Sequence, residues 1–376
     1  MIEIREIAPG GDFKDFLNVV DTIYASDPNY IRPLDMMVEE QFNPKKNPFF
    51  LHGEAHFFTA HRNGKCVGRI SASIDREHVA RYKDDTGFFG FFDTIDDAEV
   101  GKALLDAAEG WLKKKGLKRA RGPISLSIWE EVGLLVKGFD RPPVIMNPHH
   151  HPYQAKLVED GGYAKVKDLF GWYYEIHELN ARTKKAHDDI LAMPEVEARP
   201  VSLRRIERDI EIILEIFNDA WLENWGFVPA TREEGRKMAA DFRFIVNPET
   251  TRIIFIDGEP AAFAIALPNL NELIKDLHGK VFPLGLVKLI YRLKVEGPKS
   301  ARMVILGIKK KFRMQRKYAG LSLYLFAAIH LACRRIGITW GELGWTLEDN
   351  AAVNTAIKVI GGKNYKTYRV FERQLS

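Results

Sequence analysis

Cysteine is scarce in this chain. The only two among 376 residues are Cys66 and Cys333, and each lies inside a short apolar stretch. Two distant thiols supply neither the disulfide framework of a small secreted domain nor the ligand set of a zinc site. We therefore expect both to be small buried thiols in a protein of the reducing cytoplasm.

Long apolar runs are missing as well. No stretch reaches the roughly 18 apolar residues that a membrane-spanning helix needs. The beginning of the sequence, MIEIREIAPGGDF, lacks the basic start and apolar core of a secretory signal. The sequence therefore predicts a soluble cytoplasmic protein without a transmembrane segment.

The excess of positive charge is small, with a formal net charge of +4. Such a balance gives no indication of a nucleic-acid partner. The basic residues are nevertheless concentrated at one place, where six fall within nine positions: Lys309, Lys310, Lys311, Arg313, Arg316 and Lys317. This cluster predicts a local polyanion as ligand.

The basic cluster lies between a predicted strand and a predicted helix. Apolar residues alternate through Met303, Ile305 and Ile308, as in a strand, and the run 321–329 is typical of a buried helix. Unpaired N–H groups at the start of a helix bind phosphate, and Gly320 would let the ligand approach the backbone. The alternative is an ordinary basic turn before a buried helix.

The loop resembles the pyrophosphate signature of the GNAT superfamily of acyl-CoA-dependent N-acyltransferases. The place of that signature, [Arg/Gln]-x-x-Gly-x-[Gly/Ala], is taken by Lys317, Tyr318, Ala319, Gly320, Leu321 and Ser322. Lysine replaces the first residue and serine the last. A second predicted strand at 338–345, followed by Glu348, Asp349 and Asn350, continues in the family's order. The second half of the chain further resembles a bacterial tandem-GNAT group.

The two halves of the chain repeat one order of elements. Asn-Gly at 63–64 and Asp-Gly at 257–258 each lie between apolar runs and predict a β-hairpin. With the resemblance, the repeat implies an α/β (α+β) fold of two tandem GNAT-like domains, each a twisted mixed sheet flanked by helices. We predict domains at 1–180 and 195–376, joined through a charged stretch at 178–200.

The first domain is predicted to be degenerate. Where its phosphate loop should lie, residues 93–99 are acidic and lack the glycine signature. Carboxylates at the start of a helix repel a pyrophosphate. We therefore expect only the second domain to bind acyl-CoA, and the first to be structural or to shape the acceptor site.

The resemblance also implies the place of the thioester. In GNAT enzymes it lies between two diverging strands, and a backbone N–H of the first strand supports the oxyanion. Here this points to Leu306, Gly307 and Ile308, with Lys309 following. Asn350 resembles an asparagine that holds the pantetheine arm, and a helix N-cap is its alternative role.

The residues that would act as base and acid match the GNAT pattern less completely than the phosphate loop does. Glu342, on the second strand, is the candidate base, and a carboxylate in a salt bridge is its alternative role. The tyrosine with which many GNAT enzymes protonate the thiolate is replaced by Ile357, and by Val158 in the first domain. Solvent could substitute for it, as could three other tyrosines: Tyr318, Tyr365 and Tyr368.

Four residues are candidates for an acceptor pocket, with core packing or turn formation as alternatives: Trp225, Asn269, Asn271 and Trp345. The histidines at 149–151 are expected to form a polar loop rather than a metal site, since no cysteine or carboxylate lies nearby at ligand spacing. The apolar insertion at 283–294 is expected to be a helix packed on its domain. A lid or a membrane-surface contact is the alternative.

We therefore predict an N-acyltransferase, most simply an acetyltransferase, that takes its acyl group from acetyl-CoA or another acyl-CoA. The acceptor is an amine, and neither a metal nor a nucleic acid is expected. Two other functions remain open. One is a transferase of the same build that uses aminoacyl-tRNA, against which the glycine loop argues; the other is a non-catalytic CoA-binding or interaction protein, which Ile357 favours.

Overall fold

Strands and amphipathic helices alternate along residues 1–375, which the computed structural model describes. The elements of the first half are β1 (Ile2–Ile7), α1 (Lys14–Ile23), α2 (Asp35–Phe42), β2 (Gly53–Arg62), β3 (Lys65–Asp75), α3 (Arg76–Tyr82), β4 (Thr86–Thr94), α4 (Ala98–Lys114), β5 (Arg119–Gly122), β6 (Leu134–Lys137), α5 (Pro152–Asp160) and β7 (Ala164–Glu175). The elements of the second half are α6 (Ala181–Leu191), β8 (Val196–Arg199), α7 (Ile206–Trp221), α8 (Arg232–Ile245), β9 (Thr251–Ile256), β10 (Glu259–Pro268), α9 (Asn271–Ile274), α10 (Gly285–Tyr291), β11 (Ser300–Ile308), α11 (Lys310–Arg313), α12 (Leu321–Arg335), β12 (Trp340–Leu347), α13 (Ala351–Val359) and β13 (Lys363–Gln374).

Two tight turns set the register of the hairpins. Asn63 and Gly64 have φ angles of 52° and 76° between β2 and β3, and Asp257 and Gly258 have 50° and 77° between β9 and β10. Positive φ at both central residues matches the right-handed twist of the flanking strands. Both predicted hairpins are confirmed.

The chain forms two compact units. Unit 1 comprises Met1–Phe170, Ile274–Leu289 and the chain from Tyr365 onward. Unit 2 comprises Gly171–Leu273 and Ile290–Asn364. Each unit has its own apolar core.

The units differ from the predicted domains, 1–180 and 195–376, because each unit combines separate stretches of the chain. Ser376, the last residue of the second predicted domain, lies outside the described residues. The reason for this difference is the pairing of the last strand. Phe371 of β13 is in register with Gly122 of β5, and its side chain is fully buried in the core of unit 1. A strand joins whichever sheet edge its backbone and apolar face fit, independently of its distance along the chain.

Unit 1 has the strand order β1-β2-β3-β4-β5-β13, and β6 also pairs with β13. All these pairs are antiparallel except β4 with β5. α4 packs its apolar face on the sheet through Val100, Leu104 and Leu112, none of which is exposed.

Unit 2 repeats this plan with the order β12-β11-β10-β9-β8, in which only β11 and β12 are parallel. α12 buries Leu321, Leu325 and Ile329 in a core that it shares with β9, β10 and β11. Mixed sheets flanked by helices are therefore present in both units, which confirms the predicted fold class.

The charged stretch at 178–200, predicted to join the two domains, is itself folded. α6 and β8 lie in this stretch. Asn180 caps α6 by accepting the N–H of Thr183 at 2.8 Å, and Ile190 is buried in the core that contains α12. Burial of the apolar face of α6, rather than its charged composition, determines this structure.

Candidate acyl-CoA site

β11 and β12 lie side by side for four residues and then separate. Their parallel register joins 300–303 to 340–343 and ends there. On its other edge, β11 continues to pair with β10 as far as Ile308. Side chains become partly exposed from Met303 in β11 and from Gly344 in β12. Beyond Met303 and Leu343 the two strands no longer pair, and most of their residues there are partly exposed.

A β-bulge at Val304 accompanies this separation. Adjacent residues of β10 pair with Ile305 and with Met303, so Val304 is an extra residue in β11. A bulge bends its strand and redirects the residues that follow. The predicted thioester residues, 306–308, come directly after it.

Neighbouring residues contact two of these predicted thioester residues, Leu306 and Gly307. The carbonyl of Leu306 accepts a hydrogen bond from Trp221 Nε1 of α7 at 3.3 Å. A Cβ on Gly307 would lie 2.7 Å from Phe263 Cε1 and 3.4 Å from Ala220 Cβ. A side chain at this position would require the Phe263 ring of β10 to move, whereas its contact with α7 would be an ordinary one.

The predicted phosphate loop leads into the 15-residue helix α12. Gly320 is the N-cap residue, and in the described part of the chain no side chain caps this helix start. Ser322, the second helical residue, is exposed. The N–H groups at this end are of the kind that bind an anion.

Gly320 contacts α6. Its φ of −80° is open to any residue, and an added Cβ would lie 3.4 Å from Ile190 Cγ1 and 3.9 Å from Ala186 Cβ. A small side chain here would make ordinary contacts with α6, and a long one would meet Ile190. The sequence motif did not indicate that Gly320 lies beside α6.

Four of the six loop cations form ion pairs with carboxylates of the same unit: Lys309 with Glu215 and Glu259, Lys310 with Glu223, Lys311 with Glu259, and Lys317 with Glu195. The Lys317 ammonium lowers the pKa of the Glu195 carboxyl. Arg313 and Arg316 are exposed, and their side chains form no ion pair or hydrogen bond within residues 1–375. The arginines are therefore the cations most available to a phosphate.

Replacing Arg313 and Arg316 together by glutamine should weaken CoA binding by roughly tenfold, since each exposed charge contributes about 1 kcal/mol or less. The matched variant with glutamine at Lys310 and Lys311 should lose less, because carboxylates already neutralise these lysines. Calorimetry with CoA and dephospho-CoA at low and high salt measures both effects. Equal losses in the two double variants would contradict this ranking.

Glu342 lies where the strands begin to separate. It is the register partner of Arg302, with 3.4 Å between Arg302 Nε and Glu342 Oε1 and side chains 5% and 0% exposed. Arg302 Nε also donates to the carbonyl of Gly344 at 3.1 Å. The salt bridge, which was the alternative role, is thus present, and the role as a base stays a prediction.

α13 follows β12 and is tied to it by an asparagine that the sequence motif did not single out. Asn354 is buried, and its amide donates to the carbonyl of Leu347 at 2.9 Å. Asn350 is the N-cap and accepts the N–H of Val353 at 3.3 Å, which was its alternative role. Ile357 is buried.

The four acceptor-pocket candidates lie at different places. Trp345 is in β12, just past the last residue paired with β11, and is half-buried. Asn269 is buried and hydrogen-bonds Ser300 through its backbone and its side chain, each at 3.0 Å, so it closes the connection from β10 to β11. Asn271 begins α9, and Trp225 follows α7 in a half-buried position.

Solved structures share this fold. A tandem GNAT protein from the clavulanic acid biosynthesis pathway matches with a TM-score of 0.63 over 100% of this chain and 99% of that chain, at 11% identity. A GCN5-related N-acetyltransferase from Sphaerobacter thermophilus matches with a TM-score of 0.54, covering 100% and 96%, at 12% identity. At these identities the likeness shows the fold.

Two curated proteins match at much higher identity. Protein YghO of Escherichia coli (strain K12) is 38% identical over 374 residues, which are 99% of this chain and 95% of that protein. The bacterial ceramide synthase of Caulobacter vibrioides (strain NA1000 / CB15N) is 40% identical over 381 aligned positions, covering 100% and 98%. The chain belongs to this tandem-GNAT family. No protein-family model matches it.

Unit 1 repeats the diverging GNAT strands. β4 and β5 pair in parallel only as far as Phe88 and Arg121. β4 also carries one residue more than β3 between two register pairs, and Phe91 there has a φ of 47°. The duplication therefore extends to the bulge beside the site.

In unit 1 the chain itself occupies the space between these strands. The N–H of Ile124 donates to the carbonyl of Phe89 at 2.7 Å. A Cβ on Gly90 would lie 2.5 Å from the Ile124 oxygen and 2.6 Å from Ser125 Cα. Ile124, Ser125 and Leu126 are all buried. This GNAT cleft is therefore filled.

The helix start of unit 1 is also occupied. Asp97 caps α4 by accepting the N–H groups of Glu99 and Val100 at 3.0 and 3.1 Å. The same carboxylate pairs with Arg62. An anionic ligand would meet a carboxylate where unit 2 offers N–H groups.

The acidic stretch of unit 1 begins in a buried network. Burial raises the pKa of Asp93, but the Arg69 guanidinium at 2.7 Å outweighs it, so this pKa lies below its usual value. Tyr24 donates its hydroxyl to Asp93 at 2.5 Å. His149 of the predicted polar loop is buried, and its Nε2 lies 2.8 Å from Asp27 Oδ2.

Residues 1–375 contain no group of three or more histidine, cysteine, aspartate or glutamate side chains that could hold a metal ion.

Proposed function

We propose that this chain transfers a long-chain acyl group from acyl-CoA to the amine of a long-chain amino alcohol. The observation that carries the proposal is the 40% identity, over the whole length, to a protein named bacterial ceramide synthase. A ceramide is the amide of a fatty acid and such an amine, so this name describes an N-acyl transfer. We favour a long acyl chain over acetyl for the same reason.

Unit 2 is the proposed acyl-CoA-binding domain. Its support is the end of the β11–β12 pairing beside the bulge at Val304, the uncapped start of α12 and the exposed Arg313 and Arg316. The thioester would lie along 306–308, and the loop 317–322 would hold the pyrophosphate. The filled cleft of unit 1 supports the assignment of a single CoA site per chain.

Glu342 is the proposed base. The amine nitrogen attacks the thioester carbonyl, the C–S bond breaks, and the amide and the thiol of CoA are formed. The proton of the amine passes to the carboxylate, and with Ile357 at the usual tyrosine position we assign protonation of the thiolate to solvent. The Glu342 side chain is fully buried, so this proton transfer requires a relay between the amine and the carboxylate.

The test uses the purified chain in mild detergent with acetyl-CoA or palmitoyl-CoA, and with ethanolamine or a long-chain 2-amino-1,3-diol. We expect thiol release and an N-acyl product, detected by mass spectrometry, only when both partners are long-chain. Acetylation of ethanolamine alone would instead support the acetyltransferase. Absence of turnover with CoA still bound would support the non-catalytic function.

A further inference from the structure

Residues 282–295 expose an unusual amount of apolar surface. Seven large apolar side chains in this stretch are between 39% and 77% exposed: Phe282, Leu284, Leu286, Val287, Ile290, Tyr291 and Val295. Contiguous exposed apolar surface commonly marks an interaction site. We define these seven side chains as the α10 apolar surface.

α10 is apolar on two faces. Its inner face packs Leu289 against a buried cluster that includes Leu34, Ile274 and Leu277. The outward-facing residues 286, 287, 290 and 291 fall on one arc of about 140° at the helical period of about 100° per residue. A helix that is apolar on both faces normally has both covered. The inner face has its partner in this chain, and the outer face is open to an external one.

The charge around this surface identifies that partner. Between positions 275 and 299 there are six lysines and arginines and two acidic residues, a local charge of 6 − 2 = +4, equal to the net charge of the entire chain. Lys280, Lys294 and Lys299 are exposed. Apolar side chains flanked by lysines complement the interface of an anionic bilayer.

We propose that the α10 apolar surface binds an anionic lipid bilayer at the level of its headgroups. None of the helices described in residues 1–375 has the length and hydropathy to cross a membrane, so the contact is interfacial. The purpose of this contact rests on the proposed function, because long-chain acyl donors and amines partition into bilayers. A surface-bound enzyme would take them from there.

Flotation of the full chain with vesicles tests the inference without any substrate. We expect binding to phosphatidylglycerol vesicles and little binding to phosphatidylcholine. Leu284→Gln with Val287→Gln should weaken the partition coefficient by about tenfold or more. Lys280→Gln with Lys294→Gln should weaken it by about fivefold for each charge removed, and only on anionic vesicles.

The matched control is Leu51→Gln with Leu191→Gln, two other exposed leucines, which should bind vesicles like the unchanged chain. Melting curves of all variants verify the fold. Failure of the chain to float, equal binding by the Leu284/Val287 variant, or a dimer that this variant dissociates would overturn the proposal. Acyl transfer in detergent without flotation would leave the proposed function standing and reject only the membrane surface.

Discussion

Ser322→Glu should raise the dissociation constant of CoA by roughly a hundredfold, since a carboxylate would then face the pyrophosphate across a few ångströms. The change leaves the fold intact, because Ser322 is exposed and an acidic residue in the first turn of a helix is stabilising. Ser322→Gln is the matched control without the charge and should bind CoA nearly normally. Calorimetry measures both affinities and the number of sites.

The same titration tests the assignment of CoA to unit 2. We expect one site per chain, lost in Ser322→Glu and unchanged in Asp97→Asn, because asparagine retains the cap of α4. Gly320→Glu is a poorer probe, since its side chain would strike Ile190 of α6. Two sites, or normal affinity in Ser322→Glu, would refute the assignment to this loop.

Glu342→Gln should reduce turnover by roughly a hundredfold or more at neutral pH, with little change in CoA affinity. Glutamine has the same shape and keeps the contact with Arg302, so the packing between β11 and β12 is retained. Turnover should partly recover at higher pH, where more of the amine is already deprotonated. The assay is the acyl transfer described above, followed from pH 6 to 10.

A structural role for Glu342 predicts something different. Arg302→Gln removes the same salt bridge but leaves the carboxylate in place. If the carboxylate is the base, turnover in this variant exceeds that in Glu342→Gln by a wide margin even where both melt at similar temperatures. Equal turnover in the two variants would remove Glu342 from the mechanism.

The contrast between the units supports the proposal that only one copy of the duplicated fold binds CoA. Both units have diverging parallel strands and a bulge. Unit 1 fills the space with Ile124–Ser125 and caps its helix with Asp97, so its interior is closed by its own chain. In the described residues of unit 2, no side chain caps the start of α12, and β11 and β12 stop pairing after Met303 and Leu343.

Local features could be predicted because they depend on neighbours in the sequence. The two hairpins follow from residues that accept positive φ. The start of α12 at Leu321 follows from the apolar run that begins there. The family resemblance came from the loop before this helix.

The sequence by itself determined the two hairpins, the repeated order of the main elements and the position of the basic loop, because these depend on short-range periodicity and turn chemistry. The GNAT plan came from the resemblance of that loop to the family signature. Only the tertiary structure decided that β13 belongs to the sheet of unit 1, that α6 contacts Gly320, and that carboxylates neutralise four loop lysines. Each of these contacts joins residues far apart in the chain. Their free energy comes from the burial of complementary surfaces, which no local pattern encodes.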